Sequence, residues 1–433
     1  MPARTTALRA LIACRTSGAW SDAVLKDYMA EAKLSRRDAG LCTTLCCGVL
    51  QNRMLLDYYI DLFLTGRKRL QPVLRDILRL AVYQIVFLDR VPDAAAVNEA
   101  VKQAKGQFGP REANLCNGVL RNMLRQREKL TPPRDYHIRY SHPSDLVDLM
   151  KESVGKKLEP ILQADNGQPE TCAQVNLLKT TEEALLEAWR REEVQAERHP
   201  WMPGCFLLKN TGSLESLPSF RQGLFQIQDP AARLSVKVLE LRPGERVLDL
   251  CAAPGGKSMA AAMFMENRGE IVACDLHSGK LPQIQRAAQR LGVDIVFPRE
   301  NDGTVFCPEF VEGFDAVITD VPCSGLGVIR KKPDIRYKSL ADMERLPPIQ
   351  RELLERAAAY VRPGGQLLYS TCTILKRENE AVVRDFQEAH PEFQPEDLPL
   401  PEPLRQQAPG MLTLYQGIDH CDGFFLCRMR KAK

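Results

Sequence analysis

The stretch Val247-Leu-Asp-Leu-Cys-Ala-Ala-Pro-Gly-Gly-Lys-Ser258 decides how the chain is read. A short β-type run passes into a turn of small residues, and two glycines then open a helical pattern. Gly255 and Gly256 allow the backbone to approach a ligand closely, and the helix beyond them offers free N–H groups. The spacing is neither GxGxxG nor GxxxxGKS, which argues against a dinucleotide or nucleoside triphosphate fingerprint. Similar runs recur at Ile271–Asp275, Ile295–Phe297, Phe314–Asp320 and Gln366–Thr371, each followed by a helical segment. Strands alternating with helices from about residue 226 predict a Rossmann-like, doubly wound, mostly parallel sheet, with ligands at the carboxyl ends of its strands.

The chain upstream reads differently. From Thr5 to Lys129 apolar residues recur at helical spacing, as in Leu74, Ile77, Leu78, Ala81, Val82 and Ile85, and strand-like alternation is absent. Breaks at Ser17-Gly18, Leu34-Ser35, Thr65-Gly66, Val91-Pro92 and Gly109-Pro110 predict five or six helices, with Ser35 as an N-cap. Thr131-Pro132-Pro133 ends this all-helical part. Short strand-like pieces at Ala173–Leu177 and Cys205–Leu208 lie among helical patterns in the next stretch. The expected organisation is therefore multidomain: helices over 1–131, a small α/β connecting domain over 132–225, and the doubly wound domain over 226–433.

The composition of the 433 residues, 44% hydrophobic and 26% charged, is that of a folded chain. The formal net charge of +4 conceals an asymmetry, because residues 1–130 carry +9 and the remainder −5. A basic helical third points to a polyanion such as a phosphate backbone. The 14 cysteines include no CxxC pair, so no zinc ribbon, thioredoxin motif or metal site is expected. The sequence has neither a signal-peptide pattern nor an uncharged apolar window long enough to span a bilayer, so a cytoplasmic protein in a reducing compartment is expected, with no membrane partner.

Several reactive residue types fall at the predicted strand ends. Asp275 closes the second strand, where a carboxylate can accept both hydroxyls of a ribose. Asp302 follows the third and could accept from the exocyclic amine of a purine. Asp320-Val-Pro-Cys323 and Ser370-Thr-Cys372 place an acid and two thiols at the mouths of the fourth and fifth. Most cysteines are inert packing, but two on neighbouring strand ends beside a glycine turn favour thiolate chemistry. The basic run Arg330-Lys-Lys332, with Asp334-Ile-Arg336, reads as a phosphate contact.

Together, Leu250 to Ser258, Asp320-x-Pro-Cys-Ser-Gly325, Arg330-x-x-Pro-Asp-Ile335 and Ser370-Thr-Cys372 resemble the RNA cytosine-C5 methyltransferases. The helical third, with Arg37-Asp38, Gly48 to Arg53 and Asn117-Gly-Val-Leu-Arg121, looks like a NusB-type RNA-binding domain. The pairing resembles the RsmB (Fmu, Sun) branch, and Tyr140-Ser-His-Pro143 and Asp422-Gly-Phe-Phe425 also fit. The resemblance implies an enzyme that transfers methyl from S-adenosylmethionine to small-subunit ribosomal RNA; a monomer is expected because no coiled-coil or interface signature stands out. It assigns Cys251, Ala252, Ala253, Pro254, Gly255, Gly256, Lys257, Asp275, Asp302 and Asp320 to the cofactor, Cys372 to nucleophilic attack, and Cys323 to product release. Whether Cys323 or Asp320 takes the C5 proton stays open. Transfer RNA as substrate, or an RNA-binding assembly role without catalysis, are the alternatives. Tyr337 stands where relatives often carry Trp, and Leu346-Pro-Pro348 where they carry Leu-x-x-x-Gln.

Overall fold

A computed structural model describes residues 2–17, 20–64 and 70–433. The chain forms two compact units, one of residues 1–152, 156–167 and 329–338, the other of 153–155, 168–328 and 339–433.

The first unit is helical. Its N-terminal part holds seven helices among the described residues: α1 (Pro2–Ser17), α2 (Ser21–Glu31), α3 (Arg36–Gln51), α4 (Arg53–Phe63), α5 (Pro72–Phe87), α6 (Asp93–Phe108) and α7 (Pro110–Arg125). The stripe Leu74, Ile77, Leu78, Ala81, Val82 and Ile85 is at most 3% exposed, so the helical periodicity located the core. Ser35 caps α3 by accepting from the Asp38 N–H. The count exceeds the expected five or six because α3 and α4 separate at Asn52, with neither Gly nor Pro to mark the break. The Asn52 Nδ2 instead donates to the Gly48 carbonyl at 2.9 Å and stops the helix. The Gly18 and Thr65-Gly66 positions lie outside the described residues. Three shorter helices complete this unit, α8 (Tyr136–Arg139), α9 (Ser144–Val154) and α10 (Leu158–Asp165).

The segment Ile329–Lys338 also belongs to the helical unit, which corrects the reading of Arg336 as a phosphate contact. Arg336 is fully buried, and its guanidinium donates to the carbonyls of Gln51, Tyr140, Ser141 and Asp165 and to Asn166 Oδ1. The Tyr337 hydroxyl donates to Leu50 O at 2.6 Å, and Ser21 donates to Asp334. A cation surrounded by five protein oxygens has no face left for RNA.

The second unit contains two sheets. In the smaller, β1 (Thr171–Val175), β2 (Gln195–Arg198), β3 (Cys205–Lys209) and β4 (Phe225–Ile227) run antiparallel in the order β2-β3-β1-β4. Helices α11 (Glu182–Arg191) and α12 (Pro218–Arg221) accompany it, and Trp189 is buried between Phe206 and Phe225. The larger sheet is doubly wound, as expected. Its parallel core comprises β5 (Arg246–Asp249), β6 (Glu270–Asp275), β7 (Val296–Glu300), β8 (Phe314–Asp320) and β9 (Val361–Thr371), ordered β9-β8-β5-β6-β7. Helices α13 (Pro230–Lys237), α14 (Gly256–Phe264), α15 (Leu281–Leu291), α16 (Leu340–Glu344), α17 (Leu346–Tyr360) and α18 (Glu380–Ala389) complete the layers. Beyond β9 lie β10 (Phe393–Pro395), β11 (Met411–Leu414) and β12 (Phe424–Lys431), with β12 antiparallel to β9. The strand order reverses between β5 and β8, which puts the topological switch point beside the glycine turn and the Pro-Cys loop.

Candidate active site

The glycine turn is held from below. Asp249 ends β5 fully buried, and its Oδ2 accepts from the Ser258 hydroxyl at 2.6 Å, tying the strand to the first turn of α14. Burial pushes its carboxyl up to about 6. Gly255 precedes α14 with φ +103°, a left-handed conformation that favours glycine.

Beside this turn opens a cleft of about 300 Å³. Of the ten residues expected to hold a cofactor, Cys251, Ala253, Asp275, Asp302 and Asp320 line it. Ala252, Pro254, Gly255 and Gly256 shape the turn without bordering the cleft, and Lys257 reaches it only through its ion pair with Asp320. Asp275 accepts from the N–H groups of Ala253 and His277 and pairs with Lys280 at 3.4 Å. Asp302 accepts from the Thr304 N–H and hydroxyl, and these bonds hold its carboxyl below the usual range. Sequence reasoning missed the apolar walls, Leu276 (54% exposed) and Ile349 (39%), whose exposure next to carboxylates is the signal of a flat ligand surface. It also missed Asn301, whose Nδ2 is buried without a partner at the edge of the cleft.

The two thiols meet. Cys323, after β8, and Cys372, after β9, lie with their sulfurs 3.3 Å apart. The hydrogen bond from Cys323 holds the Cys372 thiol below its ordinary value, with Lys257 adding to the effect and burial and Asp320 opposing it. Cys323 is pushed well up, by that same hydrogen bond and then by burial and the charges of Cys372, Glu378 and Asp320. Within the pair the bias is therefore towards Cys323 as the proton donor and Cys372 as the acceptor. Cys251, by contrast, is pushed up by burial and by Asp249 and Asp320, which makes it a neutral thiol of the cleft wall.

Lys257 bridges the two halves of the site. Its Nζ lies 2.7 Å from Asp320 Oδ2 and 5.0 Å from the centre of the Phe424 ring. The other Asp320 oxygen accepts from Ser370 at 2.9 Å. Gly423, next to Phe424, donates its N–H to the Gly327 carbonyl, and a Cβ on Gly327 would stand 1.9 Å from the Gly423 oxygen. The C-terminal Asp422-Gly-Phe-Phe425 thus locks the Pro-Cys loop from behind by a backbone approach that two glycines permit.

The Pro-Cys loop has a second brace. Gln350 donates to Pro322 O at 3.0 Å and to Glu378 Oε2 at 2.9 Å, and the same oxygen accepts from the Ser324 N–H. Gln350 stands four residues beyond Leu346, so the Leu-x-x-x-Gln pattern is present around the two prolines, contrary to the sequence reading.

Models of known families match three stretches: the NusB family over 1–125, an RsmF/B-like ferredoxin-like domain over 142–215, and 16S rRNA methyltransferase RsmB/F over 236–430. A probable ribosomal RNA small subunit methyltransferase B of Bacillus subtilis is 36% identical over 99% of this chain and 98% of its own. The chain belongs to the RsmB family. Its methyltransferase domain is that of an enzyme. A Synechocystis protein described in the same words is 33% identical over 95% of this chain and 96% of its own. Among solved structures, the crystal structure of PH0851 covers 100% of this chain and 99% of its own, with a TM-score of 0.82 at 27% identity. A methyltransferase homolog from Pyrococcus horikoshii covers 69% and 98%, with a TM-score of 0.60 at 29% identity. Among the described residues no helix is long and apolar enough to cross a membrane, and no group of three His, Cys, Asp or Glu could hold a metal ion.

Proposed function

We propose that this protein is a small-subunit ribosomal RNA cytosine-C5 methyltransferase, acting in the cytoplasm as a monomer, with Cys372 as nucleophile and S-adenosylmethionine as methyl donor. The observation that carries the reading is the pair of cysteine sulfurs 3.3 Å apart, beside a carboxylate-lined cleft at the switch point. The residues of the cleft fit the donor: Asp275 for ribose hydroxyls, Asp302 for an exocyclic amine, Leu276 and Ile349 for the faces of a purine, and Asn301 as an unused buried hydrogen-bond donor. Bound there, the donor supplies an electrophilic methyl group.

Carbon 5 of cytosine is a weak nucleophile. Attack of the Cys372 thiolate on C6 forms a C–S bond and breaks the 5,6 double bond, so the electron pair becomes available at C5. Asp320, held by Lys257 and Ser370, would bond the cytosine amino group or a protonated N3 as the adduct forms. After methylation, the C5 proton passes to a base, for which Asp320 is the candidate while Cys323 keeps its own proton; the electrons of the C5–H bond re-form the double bond and expel the Cys372 sulfur, towards which the Cys323 S–H can donate. The base must leave its stack to reach the thiols, and the basic NusB-like domain would hold the flanking RNA through phosphates and shape. The test is methyl transfer from labelled S-adenosylmethionine to undermethylated 16S RNA, with bisulfite mapping. The expected result is one or a few C5-methylated cytidines, lost in Cys372→Ala. Modification confined to transfer RNA, or undiminished transfer by that variant, would overturn the reading.

A further inference from the structure

Glu378 is fully buried, yet the proposed reaction does not use it. Its Oε2 accepts from the Ser324 N–H and from Gln350 Nε2, both at 2.9 Å, while Oε1 is buried without a partner. Its backbone carbonyl accepts from the buried Tyr369 hydroxyl at 2.6 Å. The next residue, Asn379, accepts from Thr371 and donates to Thr373 O, so one short segment fastens both sides of Cys372. Ser324 and Thr373 join the two thiol loops directly through their hydroxyls at 2.7 Å. A buried carboxylate with a half-used oxygen pair is costly to keep, and packing alone would be served by an apolar residue.

We propose that Glu378 is a positioning residue for the release half of the reaction, holding the Pro322–Ser324 backbone so that the Cys323 thiol stays against the Cys372 sulfur. This rests on the covalent mechanism proposed above. The geometry gives the carboxylate two actions. As an acceptor it gathers the Ser324 N–H and the Gln350 amide, which also grips Pro322, and so brackets Cys323 on both sides. As a negative charge behind Cys323 it opposes a second thiolate there, keeping the proton on the sulfur that must donate when Cys372 departs.

The test compares the full-length protein with Glu378→Gln, which preserves shape and one acceptor, and with Gln350→Met, which cuts the other arm of the brace. Alkylation of each thiol by iodoacetamide, followed by peptide mass spectrometry without RNA, reads the thiolate fraction at each sulfur. In Glu378→Gln, labelling of Cys323 should rise severalfold, with Cys372 changed less than about twofold. With RNA and donor, turnover should fall at least about fivefold more than the single-turnover rate, and the protein–RNA adduct resistant to denaturant should accumulate. Gln350→Met should shift adduct and turnover in the same direction. Equal changes at both thiols, or turnover and single-turnover rates falling together without adduct, would show a merely structural role and refute the proposal. If the wild-type protein forms no adduct and methylates nothing, the functional reading fails, and the labelling ratio alone decides the claim about Glu378.

Discussion

Replacing Arg336 by Met separates two views of this basic segment. The guanidinium has five oxygen partners, at 2.7 Å (Gln51 O), 2.8 Å (Asn166 Oδ1), 3.1 Å (Asp165 O), and 3.3 Å to both Tyr140 O and Ser141 O. The two longest share one nitrogen with shorter bonds, which leaves about three effective charge-assisted bonds, each worth roughly 1.5–3 kcal/mol. Removing the cation also removes its own desolvation cost of several kcal/mol, while orphaned carbonyls cost roughly 1–3 kcal/mol each. The net expectation is a loss of about 3 kcal/mol, with the methionine stem refilling most of the volume. For a unit of this size that corresponds to a fall in its Tm of roughly 6–12 °C. Calorimetry of the full chain should show it as a shift of the helical unit's transition. A phosphate contact would behave otherwise: Tm within about 2 °C of wild type, with the salt slope of RNA affinity shallower by about one. That pattern would refute the burial reasoning.

Three other outcomes follow from the site. Lys257→Met deprives the Cys372 thiolate of a favourable cation and leaves Asp320 unopposed, so its thiol rises and the ascending limb of single-turnover rate against pH should move to higher pH. An unmoved limb would remove Lys257 from the thiolate's environment. Gly327→Ala puts a Cβ 1.9 Å from backbone and should displace the Pro-Cys loop, reducing methyl transfer by at least about tenfold while the Tm of the helical unit stays put. Asp275→Asn should weaken S-adenosylmethionine binding by roughly tenfold or more in titration calorimetry, since a charged acceptor for two hydroxyls becomes a neutral amide.

The legible parts of the chain were those in which local pattern and tertiary role coincide. The α5 stripe announced its buried face by spacing alone, and the runs ending in Asp249, Asp275, Asp320 and Thr371 announced both the parallel strands and the edge where ligands meet them. Arg336 was misread because its burial depends on acceptors from Gln51, Tyr140–Ser141 and Asp165–Asn166, none of which a window around residue 336 contains. Strand β12, Phe-Phe-Leu-Cys-Arg-Met-Arg-Lys, went unnamed because it carries no alternation: six of its eight residues are buried, and Arg428 is among them, neutralised by Glu396 and the Val238 carbonyl. Gln350 and Glu378 carry no motif chemistry, and their value appears only when two loops are folded against each other.

Under the proposed reaction, the Sγ–Sγ hydrogen bond is the largest influence setting the two thiols apart, and the charges around them act on top of it. Asp320 raises both thiols, and on Cys372 it stands ahead of the opposing Lys257. Lys257 lowers the Cys372 thiol and Glu378 raises the Cys323 thiol, each as a lesser influence. A cation near one sulfur and an extra carboxylate near the other act in the same direction as that hydrogen bond, so both favour Cys372 as the lower of the two thiols. The two loops have similar local sequence, each a thiol just past a strand end, so strand position alone would not distinguish nucleophile from helper. Exchanging the bias, by Lys257→Met together with Glu378→Gln, should bring the two alkylation rates towards each other even where neither change alone reverses their order. Rates that stayed apart in the double variant would locate the asymmetry in the Sγ–Sγ hydrogen bond itself.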